Sequence, residues 1–172
     1  MGGRVIRQYL INHGDAEIAG VNFVASQVIE EPRFRGPGAP KAPPDRITLE
    51  EEIDAAIAFL DACFGKKPSE AAFRRALGYN VRVPAAVRRA IAGWSTAAPL
   101  TIDALRRVSV PVLISHGRLD TVVLPGAAEI TADTISHARL SWFDDCGHSP
   151  FVEDAARFND ELATFVQASQ QP

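Results

Sequence analysis

Asp120 and His148 are the residues of this chain best placed to do chemistry together. Asp120 follows the apolar run Pro111–Ser115 in PVLISHGRLDTVVLP, and His148 follows Arg139–Phe143 in ARLSWFDDCGHSPF. An acid that orients an imidazole, and an imidazole that moves a proton for a nucleophile, are two of the three parts of a hydrolytic triad. Asp144 and Asp145 are weaker rivals as the acid, because they lie in the histidine's own loop. Each residue also has a plainer reading, Asp120 as a turn acid and His148 as a loop histidine capping the next helix. Their occurrence on successive loops, with Gly117 and Gly147 beside them, favours the pair.

Strands and helices must position these two loops. After Asp120, Pro125 opens a helix predicted to run to about Ile135, and after His148, Ser149-Pro150 caps and opens a last one. That helix carries Phe151, Ala155, Phe158, Leu162, Phe165 and Val166 toward a core. Strand, helix, strand, helix predicts a parallel sheet with right-handed crossovers, in which sites form beyond the carboxyl ends of the strands. Upstream, Val5, Ile6, Tyr9 and Leu10 have helical spacing, stopped at His13-Gly14-Asp15, and Ile18–Val24 reads as a buried strand.

Between Gln27 and Arg46 the composition turns to Pro and Gly without period, which predicts an irregular surface excursion. Thr48 and Glu51 then match a capping box. The helix behind it presents Leu49, Ile53, Ile57, Leu60 and Phe64 and ends at Gly65. Pro68 and Pro84 open two more helices, closed by Gly78 and near Gly93. Thr101–Arg107 forms one or two helical turns.

Composition narrows the function classes. The 172 residues carry a net charge of -3 and are 47% apolar, a single soluble globular domain with no basic stripe for nucleic acid. No apolar run approaches the ~18 residues of a membrane span, and no signal-peptide pattern opens the chain, so the expected location is cytoplasmic. Cys63 and Cys146 have no zinc-ligand spacing and read as free thiols.

With the two C-terminal motifs in place, the chain resembles the α/β-hydrolase family. PVLISHGRLDTVVLP is similar to the family's acid-bearing strand, and DDCGHSPFVEDAARFNDELATFV to its histidine loop and closing helix. The resemblance implies an α/β fold, the C-terminal part of an α/β-hydrolase. Residues 1–29 would be the first part of the core, 30–100 an inserted helical cap, and 101–172 the second part with the acid and histidine loops. It also implies a serine hydrolase acting on ester-like bonds of a small, apolar substrate, with Asp120 and His148 catalytic and no metal or organic cofactor.

The family's nucleophile sits in a G-x-S-x-G turn between a strand and a helix. Met1-Gly2-Gly3 resembles the tail of that turn, so the resemblance places the serine one residue before Met1 and gives the Met1 backbone N–H an oxyanion role. On this reading the chain is N-terminally truncated, inactive as given and unstable alone. Ser26, Ser95 and Cys146 are poor substitutes, lacking the glycine-flanked turn. His116-Gly117 resembles the family's oxyanion pair by coincidence, and His13 and His137 are not ligands. Phe34, Phe59, Phe64, Phe73, Tyr79 and Trp94 are candidates to line a substrate site, more of them cap core than wall. The alternatives are a non-catalytic interaction module using an open sheet edge, and a dehalogenase or cofactor-free haloperoxidase. The expected partner is a small molecule, with neither nucleic acid nor membrane.

Overall fold

In a computed structural model, residues 1–170 are described. Three parallel strands, β1 (Val21–Val24), β2 (Val112–Gly117) and β3 (Arg139–Phe143), form one sheet in the order β1-β2-β3. Val21 pairs with Val112 and Leu113 with Arg139, so the ends of β2 and β3 that carry Asp120 and His148 lie side by side. Helix α1 (Gly2–His13) precedes β1, and α2 (Leu49–Cys63), α3 (Glu70–Asn80), α4 (Ala85–Gly93) and α5 (Ala98–Arg106) fall between β1 and β2. Helix α6 (Gly126–Thr134) joins β2 to β3, and α7 (Pro150–Glu153) and α8 (Ala155–Ser169) close the chain. Among the described residues no helix is long and apolar enough to cross a membrane.

The central strand explains the core. All six residues of β2 are buried, as a strand covered on both faces requires. Phe23, Val28, Ile29, Leu105 and Ile135 pack with its Val112 and Ile114, each worth about 1.5–3 kcal/mol on leaving water. A smaller cluster of Phe143, Cys146 and Phe158 sits under the histidine loop.

Several expectations are corrected. The first strand begins at Val21, not Ile18: Ile18 N–H closes a turn onto Asp15 O, and Gly20 passes tightly against Phe165, Ser169 and the Pro111 carbonyl. In α1 it is Gly3, Arg7 and Leu10 that are buried, and Val5 is exposed. The Thr48–Glu51 capping box is present, with Glu51 N–H donating to Thr48 Oγ1 at 3.2 Å and Thr48 N–H to Glu51 Oε2 at 2.8 Å. Leu49 nonetheless faces water, and Ala56, Leu60 and Cys63 make the buried stripe of α2. Gly78 does not end α3, which continues to Asn80, and α5 is a full nine-residue helix.

The final helix is two helices. Asp154 leaves helical geometry at φ -133 and caps α8 by accepting from Arg157 N–H, so the apolar stripe is bent and Phe151 and Val166 are exposed. The Ser149 side chain makes no cap bond.

The Pro/Gly-rich stretch is more than a surface excursion. Gly36 and Gly38 N–H donate to the carbonyls of Val122 and Thr121, Leu124 N–H donates to Phe34 O, and Arg35 bridges Val123. A Cβ on Gly36 would overlap the Thr121 carbonyl. The stretch is a strap across the outside of the acid loop.

Candidate active site

The site begins with a buried carboxylate. Asp120 lies in the loop leaving β2, and its side chain is wholly inaccessible. Backbone N–H groups of Val122 and Val123 donate to Oδ1 at 2.8 and 2.9 Å, the self-closing turn an aspartate makes with residues just ahead. The other oxygen, Oδ2, accepts from His148 Nδ1–H at 2.8 Å. That bond fixes the imidazole with its proton on Nδ1 and leaves Nε2 free to accept one. A quarter of the His148 side chain remains accessible, so the pair is buried on the acid side and open on the base side.

The two loops are knitted by backbone. Arg118 N–H donates to Phe143 O, and Leu119 N–H donates to Cys146 O, both at 3.0 Å. Gly117 is needed for the crossing, since a Cβ there would overlap the carbonyls of Cys146 and Gly147. Helix α2 completes the frame: His148 N–H donates to Cys63 O at 2.8 Å, and Thr121 Oγ1–H donates to Ala62 O at 3.0 Å. Glu153 Oε1 accepts from Gly147 N–H at 2.9 Å and Ser149 N–H at 3.4 Å, and its Oε2 accepts from Lys66 N–H at 2.8 Å.

A second histidine lies behind the acid. His116 is fully buried, its Nε2–H donates to Val123 O at 2.9 Å and lies 3.4 Å from Asp120 Oδ2. Its Nδ1 has no partner among the described residues. Burial pushes its pKa below the usual histidine value, with nearby Asp120 opposing and His148 adding to the depression. His116 is therefore a neutral wall of the acid's chamber, far from any role as an exposed oxyanion donor.

The remaining candidates separate clearly. Asp144 is exposed, pairs with Arg118 at 2.7 Å and does not reach the imidazole. Burial raises the Cys63 thiol to about 12 and the Cys146 thiol to about 11, so both stay protonated, and both are free thiols. Ser26 Oγ–H donates to Val24 O at 2.8 Å, and Ser95 is exposed between α4 and α5. Met1 is the N-cap of α1, its carbonyl accepting from Arg4 N–H at 2.9 Å. No cluster of three or more His, Cys, Asp or Glu able to hold a metal occurs among the described residues.

The six aromatic candidates are scattered. Trp94 lines an open apolar groove of about 470 Å³ with Ala86, Val87, Ala90 and Ile91 of α4. Phe34 packs on Gly126, Phe73 lies under the Lys67 ammonium, and Tyr79 is 70% exposed. Phe59 and Phe64 are half-buried in and just after α2.

One cluster has no counterpart in the sequence reading. Arg7, fully buried in α1, donates to Val28 O at 3.1 Å, to Glu30 at 3.0 Å and to Thr96 Oγ1 at 3.0 Å. Arg4 pairs with Glu30 at 3.0 Å and donates to the carbonyls of Ile91 at 2.9 Å and Trp94 at 3.0 Å. The two arginines pin the end of α4 to α1. Glu153 was also missed. An acid in the first turn of the helix after His148, where N–H groups lack helical partners, is the signal that could have found it.

Parallel strands with an acid–histidine pair beyond their carboxyl ends define a hydrolase-type α/β fold. A profile of the alpha/beta hydrolase family matches residues 1–161, and the chain belongs to that family. It is 32% identical over 137 residues to a pimeloyl-[acyl-carrier protein] methyl ester esterase of Aromatoleum aromaticum, covering 78% of this chain and 42% of the relative. A protein of the same name in Nitrosomonas europaea is 34% identical over 92 residues, 46% of this chain and 36% of the relative. Among solved structures, an esterase of Rhodococcus sp. ECU1013 superposes with a TM-score of 0.85 at 30% identity, over 96% of this chain and 62% of that one. The chain thus spans less than two thirds of each of these relatives, and the fold it shows is partial.

Proposed function

We propose that this chain carries the acid and base of a serine-hydrolase-type esterase acting on a small, apolar ester. The observation that carries the reading is the 2.8 Å bond from His148 Nδ1–H to a fully buried Asp120, whose second oxygen is held by two backbone N–H groups. Asp120 holds the tautomer and stabilises the imidazolium as it forms. His148 Nε2 takes the proton of a hydroxyl nucleophile as it attacks the ester carbonyl, then gives it to the departing alkoxide. None of the serines weighed above is set for this role. The motif resemblance puts the hydroxyl just ahead of Met1, with Met1 to Gly3 as the tail of its turn. On this reading residues 30–100 act as a cap, and residues 1–172 alone do not turn over esters.

The apolar groove on α4 and the esterases among the relatives support an ester with an apolar part. The test is to express the gene with its in-frame upstream codons and assay hydrolysis of short p-nitrophenyl esters. Asp120→Asn and His148→Ala are each expected to lower kcat about 10⁴-fold with the fold intact. Unchanged activity in either variant rejects the assignment. A binding module is the second reading, favoured by β1, which pairs on one side only among the described residues. A stable co-purifying chain and no hydrolysis by the extended protein would support it.

A further inference from the structure

On its α2 side the loop carrying His148 meets backbone rather than side chains. Gly147 and Gly65 touch backbone to backbone, and a Cβ on Gly147 would come within 2.6 Å of Gly65 N. On this side the loop is held by hydrogen bonding of three consecutive N–H groups. His148 N–H goes to Cys63 O at the end of α2, and the N–H groups on either side go to one carboxylate, Glu153. The other Glu153 oxygen takes Lys66 N–H, in the turn between α2 and α3. Bonds to a charged acceptor are roughly twice as strong as neutral ones, and Glu153 makes three to peptide groups. No Lys or Arg pairs with it among the described residues, so its charge is turned wholly toward backbone.

We infer that Glu153 is the positioning residue of the acid–base pair. It clamps the peptide groups flanking His148 so that Nδ1 meets Asp120, and through Lys66 N–H it ties the place of His148 to the α2–α3 turn. This rests on the reading of Asp120 and His148 as acid and base. It adds that a shift of the helical segment is felt at the imidazole, where a misplacement of about 1 Å can cost two orders of magnitude in rate.

The experiment follows the far-downfield proton of an imidazole N–H bound to a carboxylate, in the protein expressed with its in-frame upstream codons and labelled at histidine with nitrogen-15. The wild-type chain is expected to show this resonance and Asp120→Asn to lose it. Glu153→Ala is expected to lose it while amide dispersion reports a folded chain. Glu153→Gln keeps only one acceptor oxygen, so the proton should exchange with water about tenfold faster. A resonance with unchanged exchange in Glu153→Ala would show that Glu153 merely caps α7 and overturn the inference. If the alanine variant does not fold, the glutamine variant decides, unchanged exchange again overturning it. A wild-type chain without the resonance, or one that keeps it in Asp120→Asn, instead removes the acid–base pair itself, and the inference falls with it.

Discussion

The carboxyl ends of β2 and β3 and the helical segment between β1 and β2 are built on different terms. In the first region peptide groups cross at van der Waals distance, and both Asp120 oxygens are bonded. In the second, neither α3 nor α4 has a fully buried residue. Helix α3 relies on its Ser69 cap and an exposed Glu70–Arg74 pair, and α4 on carbonyls tied to Arg4. Crossing peptide groups need fixed geometry, whereas helices held by caps and surface pairs tolerate more movement. The molecule separates the two in space.

Glycine substitutions put that contrast to its sharpest test. Gly117→Ala forces a Cβ into two carbonyl groups and has no flexible neighbour to move. Overpacking costs about 1–3 kcal/mol and more where backbone must shift, so a lost or strongly lowered thermal transition by circular dichroism is expected. Survival of that variant with its transition unchanged would mean that the two loops are not the tight crossing described.

A smaller effect comes from His116. Its burial holds the folded-state pKa below the ordinary 6.5, so the unfolded chain binds more protons in the window just under 6.5. Its stabilising contribution is complete above 6.5 and is lost as pH falls from there toward the depressed value. Urea midpoints measured from pH 7 to 5 should fall more steeply for the wild type than for His116→Phe. Asp120, His148 and Glu129 face the same ring and must be unchanged for the comparison to hold. Equal slopes would show that the imidazole is not sealed behind the acid.

The smallest expected change has the opposite sign. Gly78 lies inside α3 with open space where a Cβ would be. Gly78→Ala should raise stability by about 0.5–1 kcal/mol, read as a higher urea midpoint. A loss there would mean that α3 packs more closely than its exposure indicates.

The same contrast explains what could be read from sequence. The strand at Arg139–Phe143 and the loops of Asp120 and His148 were legible because local pattern marks them, an apolar run followed by glycine and a polar residue, even though their bonds run to Cys63, Ala62 and each other. Arg7 was not, because a charge among apolar positions reads as solvent-facing, and its partners Glu30 and Thr96 lie far along the chain. The strap at residues 32–38 has no periodicity to detect, since its bonds run to backbone atoms of Thr121 and Val122. The break before α8 hid inside a continuous apolar stripe, because one capping aspartate outweighed the spacing of Phe151 and Phe158. Leu49 and Tyr79 were drawn inward by hydrophobicity alone, and both face water.

The Arg4–Glu30–Arg7 cluster sets a rule for recombination. Anyone grafting a relative's helices between β1 and β2 would cut near residues 30 and 100, where the sequence invites a seam. That graft would leave behind Arg4, whose guanidinium holds the Ile91 and Trp94 carbonyls, and Arg7, which holds Thr96. The heritable unit of exchange is therefore discontinuous. A chimera should inherit the first helix together with residue 30, or its new helices will arrive without the hand that orients them.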